Sequence, residues 1–217
     1  MAYAPPMSPL FASEEGLERL SLPGAEIYLQ RHFPSSIGAE IALKRLVAET
    51  NWCSETIRLW GKTVAQPRLT AWHGDPGRDY TYSGLTMKPE PWTPLLQTLK
   101  AQVERSVGET FNSVLLNYYR NERDSVGYHS DDEKELGPEP IIASLSFGDT
   151  RIFVFKSKRK LHRPVRIPLE SGSLLLMKGP TQRHWLHAIE KETQPRGPRV
   201  NLTFRKILDS EVPIPSR

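Results

Sequence analysis

The pattern of apolar and polar positions changes period near residue 110. From Ser36 to Asn51, SIGAEIALKRLVAETN carries Ile37, Ile41, Leu43, Leu46 and Val47 at near-helical spacing. This predicts an amphipathic helix with Ser36 as its N-cap. A second helix is predicted from Pro94 to Gly108, with Leu95, Leu96, Leu99 and Val103 inward. Between the two, residues 57–92 mix short apolar runs with Gly, Pro and aromatics, a loop and hairpin composition. Beyond residue 110 the runs turn β-prone: SVLLNYY, IIASLSFG, TRIFVFK, VRIPL, GSLLLMKG, HWLHAIE and RVNLTFRKI. Turn signals such as GD, ESG and KGP separate them. Seven such segments with no helix between them predict an antiparallel sandwich or barrel. The expected class is α+β, mainly β, with N-terminal helices leading into a β body.

Composition narrows the class further. Hydrophobic residues make up 38% of the 217 positions and charged residues 25%, which supports a compact core and argues against wholesale disorder. Lys and Arg number 29 against 25 Asp and Glu, so the net charge is +4 and a polyanionic partner is permitted. The single cysteine, Cys53, excludes an internal disulfide and a Cys-based zinc site. No window approaches the roughly 20 consecutive apolar residues of a membrane helix. The opening MAYAPPMSPLFASEEG has neither the early positive charge nor the apolar run of a signal peptide. The expectation is an intracellular protein, cytoplasmic or nuclear, with no membrane association.

Candidate chemistry gathers in the β half. In an extended segment residues i and i+2 share a face, so His129 and Asp131 can offer a nitrogen and an oxygen to one ion. A third ligand must come from elsewhere, and RHWLH supplies two candidates, His184 and His187. Two histidines and a carboxylate leave adjacent positions open, the arrangement of non-haem Fe(II) oxygenases. Taken alone, the pair also fits a hydrogen-bonded loop with His187 as a core histidine. In Arg199–Arg205, parity puts Arg199, Asn201, Thr203 and Arg205 on one face and Val200, Leu202 and Phe204 on the other. The polar series fits an outer sheet face, or a cradle for a dicarboxylate gripped by guanidinium forks. Asn117 and Tyr119, again two apart, can add contacts. A metal triad and a dicarboxylate cradle together imply an iron site that uses 2-oxoglutarate. Six cations, Lys156, Lys158, Arg159, Lys160, Arg163 and Arg166, fit either a solvated face or a phosphate-contacting one.

On these residues, and on PRLTAWHGD, YTYSGLT, FNSVLLNYY, GYHSDDEKELG, PIIASLSFG, GSLLLMKGPTQRHWLH and PRVNLTFRKIL, the sequence resembles the AlkB family of Fe(II)/2-oxoglutarate-dependent nucleic-acid dealkylating dioxygenases. It looks most similar to the homologues that repair double-stranded DNA. The resemblance runs from Ile57 to Leu208 and implies a double-stranded β-helix, or jelly-roll, core. Residues 1–20 are expected to be a flexible segment and 21–217 one dioxygenase domain, with 21–110 the helical lead-in and nucleotide-recognition region and 111–210 the catalytic core. The resemblance makes His129, Asp131 and His187 the iron ligands. It assigns 2-oxoglutarate to Asn117, Tyr119, Arg199, Thr203 and Arg205, with Asn201 in support. Fe(II), 2-oxoglutarate and O2 would drive oxidative demethylation of bases such as 1-methyladenine and 3-methylcytosine, releasing formaldehyde and succinate. A duplex base must be extruded to react. Trp60, before Gly61, would be an aromatic wedge, Tyr82 would pack on the flipped base, and Tyr80, Asp132 and Arg68 would complete the substrate contacts. The implied partner of this monomer is alkylated DNA. Single-stranded DNA or RNA is the alternative substrate, and a catalytically silent nucleic-acid-binding module the alternative protein. One departure stands out: the loop after His187, AIEKETQPRG, carries Glu190 and Glu192 where the double-strand-acting relatives are basic. These acids argue against a grip on the opposite strand.

Overall fold

All seven β-prone runs become strands, and eight further strands join them. The structure, a computed structural model, describes residues 16–54, 56–59, 62–77, 80–82 and 85–208. In chain order the elements are β1 (Glu18–Leu20), β2 (Glu26–Gln30), α1 (Ala39–Glu49), β3 (Thr56–Leu59), β4 (Lys62–Ala65), β5 (Leu69–Gly74), β6 (Tyr80–Tyr82) and β7 (Leu85–Met87). There follow α2 (Pro94–Val107), β8 (Ser113–Tyr119), β9 (Val126–His129), β10 (Ile142–Gly148), β11 (Arg151–Ser157), β12 (Val165–Leu169), β13 (Ser173–Lys178), α3 (Thr181–His184), β14 (Trp185–Ile189) and β15 (Arg199–Arg205).

Strand pairing makes a seven-stranded antiparallel sheet, ordered β1-β2-β13-β10-β15-β8-β5, and a four-stranded one, β12-β11-β14-β9. The pairs β3-β4 and β6-β7 form separate hairpins. The large sheet is buried on both faces, which is why β8, β10 and β13 read as near-continuous apolar runs. One face, with Val114, Leu116, Leu145, Leu174, Leu202 and Phe204, packs with Leu46 of α1 and with Leu95, Leu96 and Leu99 of α2. The other face, through Trp72, Leu115 and Leu175, meets Phe153, Phe155 and Trp185 of the small sheet.

α2 forms as its sequence predicts. The Thr93 hydroxyl accepts from the Leu96 N–H, Pro94 opens the helix, and Gly108 closes it in the left-handed region (φ 70°). α1 departs from expectation at its start. It begins at Ala39 with Gly38 in the N-cap position and no side-chain cap. Ser36 instead links the helices, its N–H donating to Gln102 Oε1 of α2. The buried stripe of α1 is Ala42 and Leu46, so Ile41 projects away from the core at 58% exposure. Among the strands that periodicity does not announce, β2 lies in a stretch for which no element is predicted, β5 in one of loop and hairpin composition, and β9 is too short to alternate; all three are set by pairing with distant strands.

Candidate active site

β9 and β14 are neighbours in the small sheet, with His129 directly opposite His187. Opposed residues of antiparallel strands project together, and the two imidazole centroids are 4.3 Å apart. Asp131 follows two residues after His129, just past the end of β9. One ligand atom from each of His129, Asp131 and His187 lies within 4.8 Å of the other two. His184, the other candidate for the third ligand, ends α3 and lies against Gly24 instead.

The surroundings of the three groups prepare them for a metal. His129 Nδ1 is 2.8 Å from the Gly127 carbonyl oxygen, so it carries the proton and Nε2 is the nitrogen with the lone pair that a metal would take. His187 Nε2 is 3.7 Å from Asp131 Oδ2, and its ring stacks on Phe153 at 5.1 Å. Burial, reinforced by His129, pushes the His187 imidazole down to about 3. Burial also holds His129 below the usual histidine range. Both rings are therefore neutral at physiological pH, the form that binds metal. Burial acts to raise the Asp131 carboxyl, but Arg205, His187 and His129 outweigh it and hold the group below the usual carboxylate range. Arg205 Nη2 donates to Asp131 Oδ1 at 2.6 Å, and Gln182 Oε1 accepts from the Asp131 N–H at 3.1 Å. Asp131 Oδ2 is buried with no hydrogen-bond donor. A buried carboxylate oxygen without a donor is costly in isolation. Beside two neutral imidazoles it fits a divalent cation, and two nitrogens with one oxygen suit ferrous iron.

A slot runs from this triad between the sheets to Arg199 and Tyr119. Its wall is the polar face of β15, which turns inward and is not an outer surface. Strand register puts Asn201 opposite Asn117 and Arg199 opposite Tyr119 on β8, with Asn201 also facing Ser146 on β10. Asn201 Nδ2 donates to Ser144 Oγ and the Leu145 carbonyl, and its Oδ1 accepts from the Thr203 hydroxyl. Arg199 is 1% exposed. Its Nη2 donates to Ser146 Oγ at 2.9 Å, while Nε and Nη1 are buried without a hydrogen-bond partner. Burial pushes the guanidinium down to about 10, with Tyr119 opposing and Arg151 reinforcing. It remains cationic at neutral pH. A buried cation with two unmet donors matches a carboxylate, which fits 2-oxoglutarate at this end of the slot.

The profile of the 2OG-Fe(II) oxygenase superfamily matches residues 26–205. The human alpha-ketoglutarate-dependent dioxygenase alkB homolog 3 is 44% identical, over 92% of this chain and 73% of its own. This chain belongs to the AlkB family. The human DNA oxidative demethylase ALKBH2 is 46% identical over 70% of this chain and 61% of its own. A solved structure of OsALKBH1 superposes with a TM-score of 0.58 at 18% identity, covering 88% of this chain and 99% of that one, and so shares the fold.

The remaining site residues of this AlkB-family chain divide three ways. Arg68, 4% exposed, lines the slot and donates from Nε to Asn117 Oδ1 at 2.6 Å. Asp132, next to Asp131, is half-exposed and pairs with Lys158 at 2.9 Å. Tyr80 and Tyr82 fall on β6, opposite Met87 and Leu85 of β7, while Trp60 and Gly61 lie outside the described residues. The acidic loop after β14 is internally compensated. Glu190 accepts from the Tyr128 hydroxyl and Arg166, and Glu192 accepts from Arg151 and Arg196. Within the basic run, Lys156 lies over the Tyr128 ring and Lys158 and Arg166 are in ion pairs, leaving Arg159, Lys160 and Arg163 exposed at the β11–β12 turn. Sequence reasoning missed Ser144, Ser146, Gln182 and Phe153. For the two serines a signal existed: in IIASLSFG they alternate with buried apolar residues, as the polar side of β15 does. No described helix is long and apolar enough to cross a membrane.

Proposed function

We propose that this chain oxidatively demethylates N-alkylated bases of the 1-methyladenine and 3-methylcytosine type in DNA. The observation that carries the reading is one buried slot with a His-Asp-His triad at one end and an arginine with two unmet donors at the other. Family membership and the name of its relative, DNA oxidative demethylase, support the substrate class. The two facing sheets fit a double-stranded β-helix, with residues 21–217 acting as a single dioxygenase domain in an intracellular monomer. One chain supplies the triad and the slot.

His129, Asp131 and His187 would hold Fe(II), and Arg199, with Tyr119, Asn117 and Thr203, would receive 2-oxoglutarate. Bound iron, 2-oxoglutarate and O2 supply the oxidising power that hydroxylates the N-methyl carbon, after which formaldehyde leaves and succinate and CO2 remain. The residues of the chain bind and orient. Arg205 holds Asp131 by its Oδ1 and keeps Oδ2 turned to the metal position. Asn201 fixes Thr203. Phe153, stacked on His187, keeps that ring aligned and excludes water from one side. Asp132 and the β6–β7 hairpin with Tyr80 and Tyr82 would contact the extruded base, and the negative charge of Asp132 favours a cationic methylated one. Trp60, before Gly61, remains the proposed wedge. Because Glu190 and Glu192 are paired internally, the acidic loop presents less repulsion to a second strand than its composition suggests.

A panel of methylated duplex DNA, single-stranded DNA and RNA, assayed with and without iron and 2-oxoglutarate, tests the reading. Formaldehyde and succinate are expected in equal amounts with methylated DNA when both are present. Succinate formation that no alkylated nucleic acid stimulates would sink it.

A further inference from the structure

Arg151, the first residue of β11, is fully buried yet lies outside the slot lining. Burying a guanidinium is among the costliest placements in a fold unless its donors are met. Here Nε donates to Glu192 Oε1 at 3.1 Å, Nη1 to the Asn121 carbonyl at 3.2 Å, and Nη2 to the Asp124 and Glu190 carbonyls at 2.9 and 2.7 Å. Asn121 and Asp124 belong to the loop entering β9, which carries His129. Glu190 and Glu192 follow β14, which carries His187. Arg151 also faces Tyr119: its guanidinium carbon is 5.6 Å from the ring centroid, and that of Arg199 is 5.1 Å from the same centroid. One buried phenol ring is thus held by two cations, one anchored in the loops and one at the end of the slot. Meeting three carbonyls, a carboxylate and a ring face requires a planar fork, which lysine lacks.

We propose that Arg151 is a positioning residue for 2-oxoglutarate: anchored by the two loops, it fixes the Tyr119 ring and, through that ring, the Arg199 guanidinium that receives the carboxylate. This rests on the assignment of the slot to 2-oxoglutarate made above.

The full chain with Mn2+ in place of iron does not turn over, so thermal unfolding at rising 2-oxoglutarate reads the dissociation constant by linkage. Arg151→Lys and Arg151→Met are each expected to raise that constant about tenfold, with the affinity for Mn2+ itself changed less than about twofold. In a Tyr119→Leu background, Arg151→Lys is expected to add nothing, because the connecting ring is gone. The proposal is overturned if folded Arg151→Lys binds 2-oxoglutarate as the wild type does, or if the two substitutions add. Loss of fold in both Arg151 variants also overturns it, since the residue is then a requirement of the fold alone. A wild-type protein that gains no stability from 2-oxoglutarate overturns the slot assignment, and this inference with it. Wild-type protein that binds 2-oxoglutarate but demethylates no base defeats only the substrate reading.

Discussion

Val200, Leu202 and Phe204 on one face of β15 pack with α1 and α2, while Arg199, Asn201, Thr203 and Arg205 on the other lie between the sheets. None of the seven is more than 7% exposed. The apolar face is buried at a gain of roughly 1.5–3 kcal/mol for each large side chain. The polar face gains nothing comparable, because buried polar and charged groups cost free energy unless each is paired. Asn201 and Thr203 are paired within the protein, whereas Arg199 keeps two donors unmet. A single strand therefore separates stability from function by side-chain parity.

Substitutions on either face test that separation. The largest effect is expected at the metal: His129→Ala, Asp131→Ala or His187→Ala should reduce formaldehyde release to background while circular dichroism shows the fold retained. Full activity in any of them would defeat the ligand assignment. On the helix side, Phe204→Ala should cost about 3–5 kcal/mol in denaturant unfolding. At a temperature where it stays folded, its KM for 2-oxoglutarate should remain within about twofold of wild type. A stable Phe204→Ala with a much higher KM would break the comparison. On the slot side, Arg199→Met should do the reverse. It exchanges a buried cation for an apolar side chain, so stability without 2-oxoglutarate should change by less than about 1 kcal/mol. Loss of a charged hydrogen-bonding group should raise the 2-oxoglutarate dissociation constant by roughly 10- to 100-fold. Equal binding in calorimetry would remove Arg199 from the cradle.

Much of the fold was legible because its signals are local. Pro94 and Gly108 bracket α2, and seven runs announced their strands by composition. β2 and β5 were not legible: EIYLQ and LTAWHG are ordinary in composition and become strands because β13 and β8 offer them an edge. The misplaced cap of α1 has a similar origin, since Ser36 is drawn to Gln102 of another helix. Within the site, the pairings of Glu190 with Arg166, Glu192 with Arg151 and Asp132 with Lys158 were invisible, as each of these cations lies on another element.

By itself the amino-acid order determined which side chains share a face: His129 with Asp131, and Arg199 with Asn201, Thr203 and Arg205. That follows from the two-residue period of an extended backbone, which needs no distant contact. Only the tertiary structure decided that the polar face of β15 points inward and, where residue spacing left His184 and His187 open and the resemblance favoured His187, that His187 stands opposite His129. It also decided that Arg151 braces Tyr119. These depend on which strands pair and which layer covers each face, and such contacts join residues tens of positions apart, where periodicity carries no information.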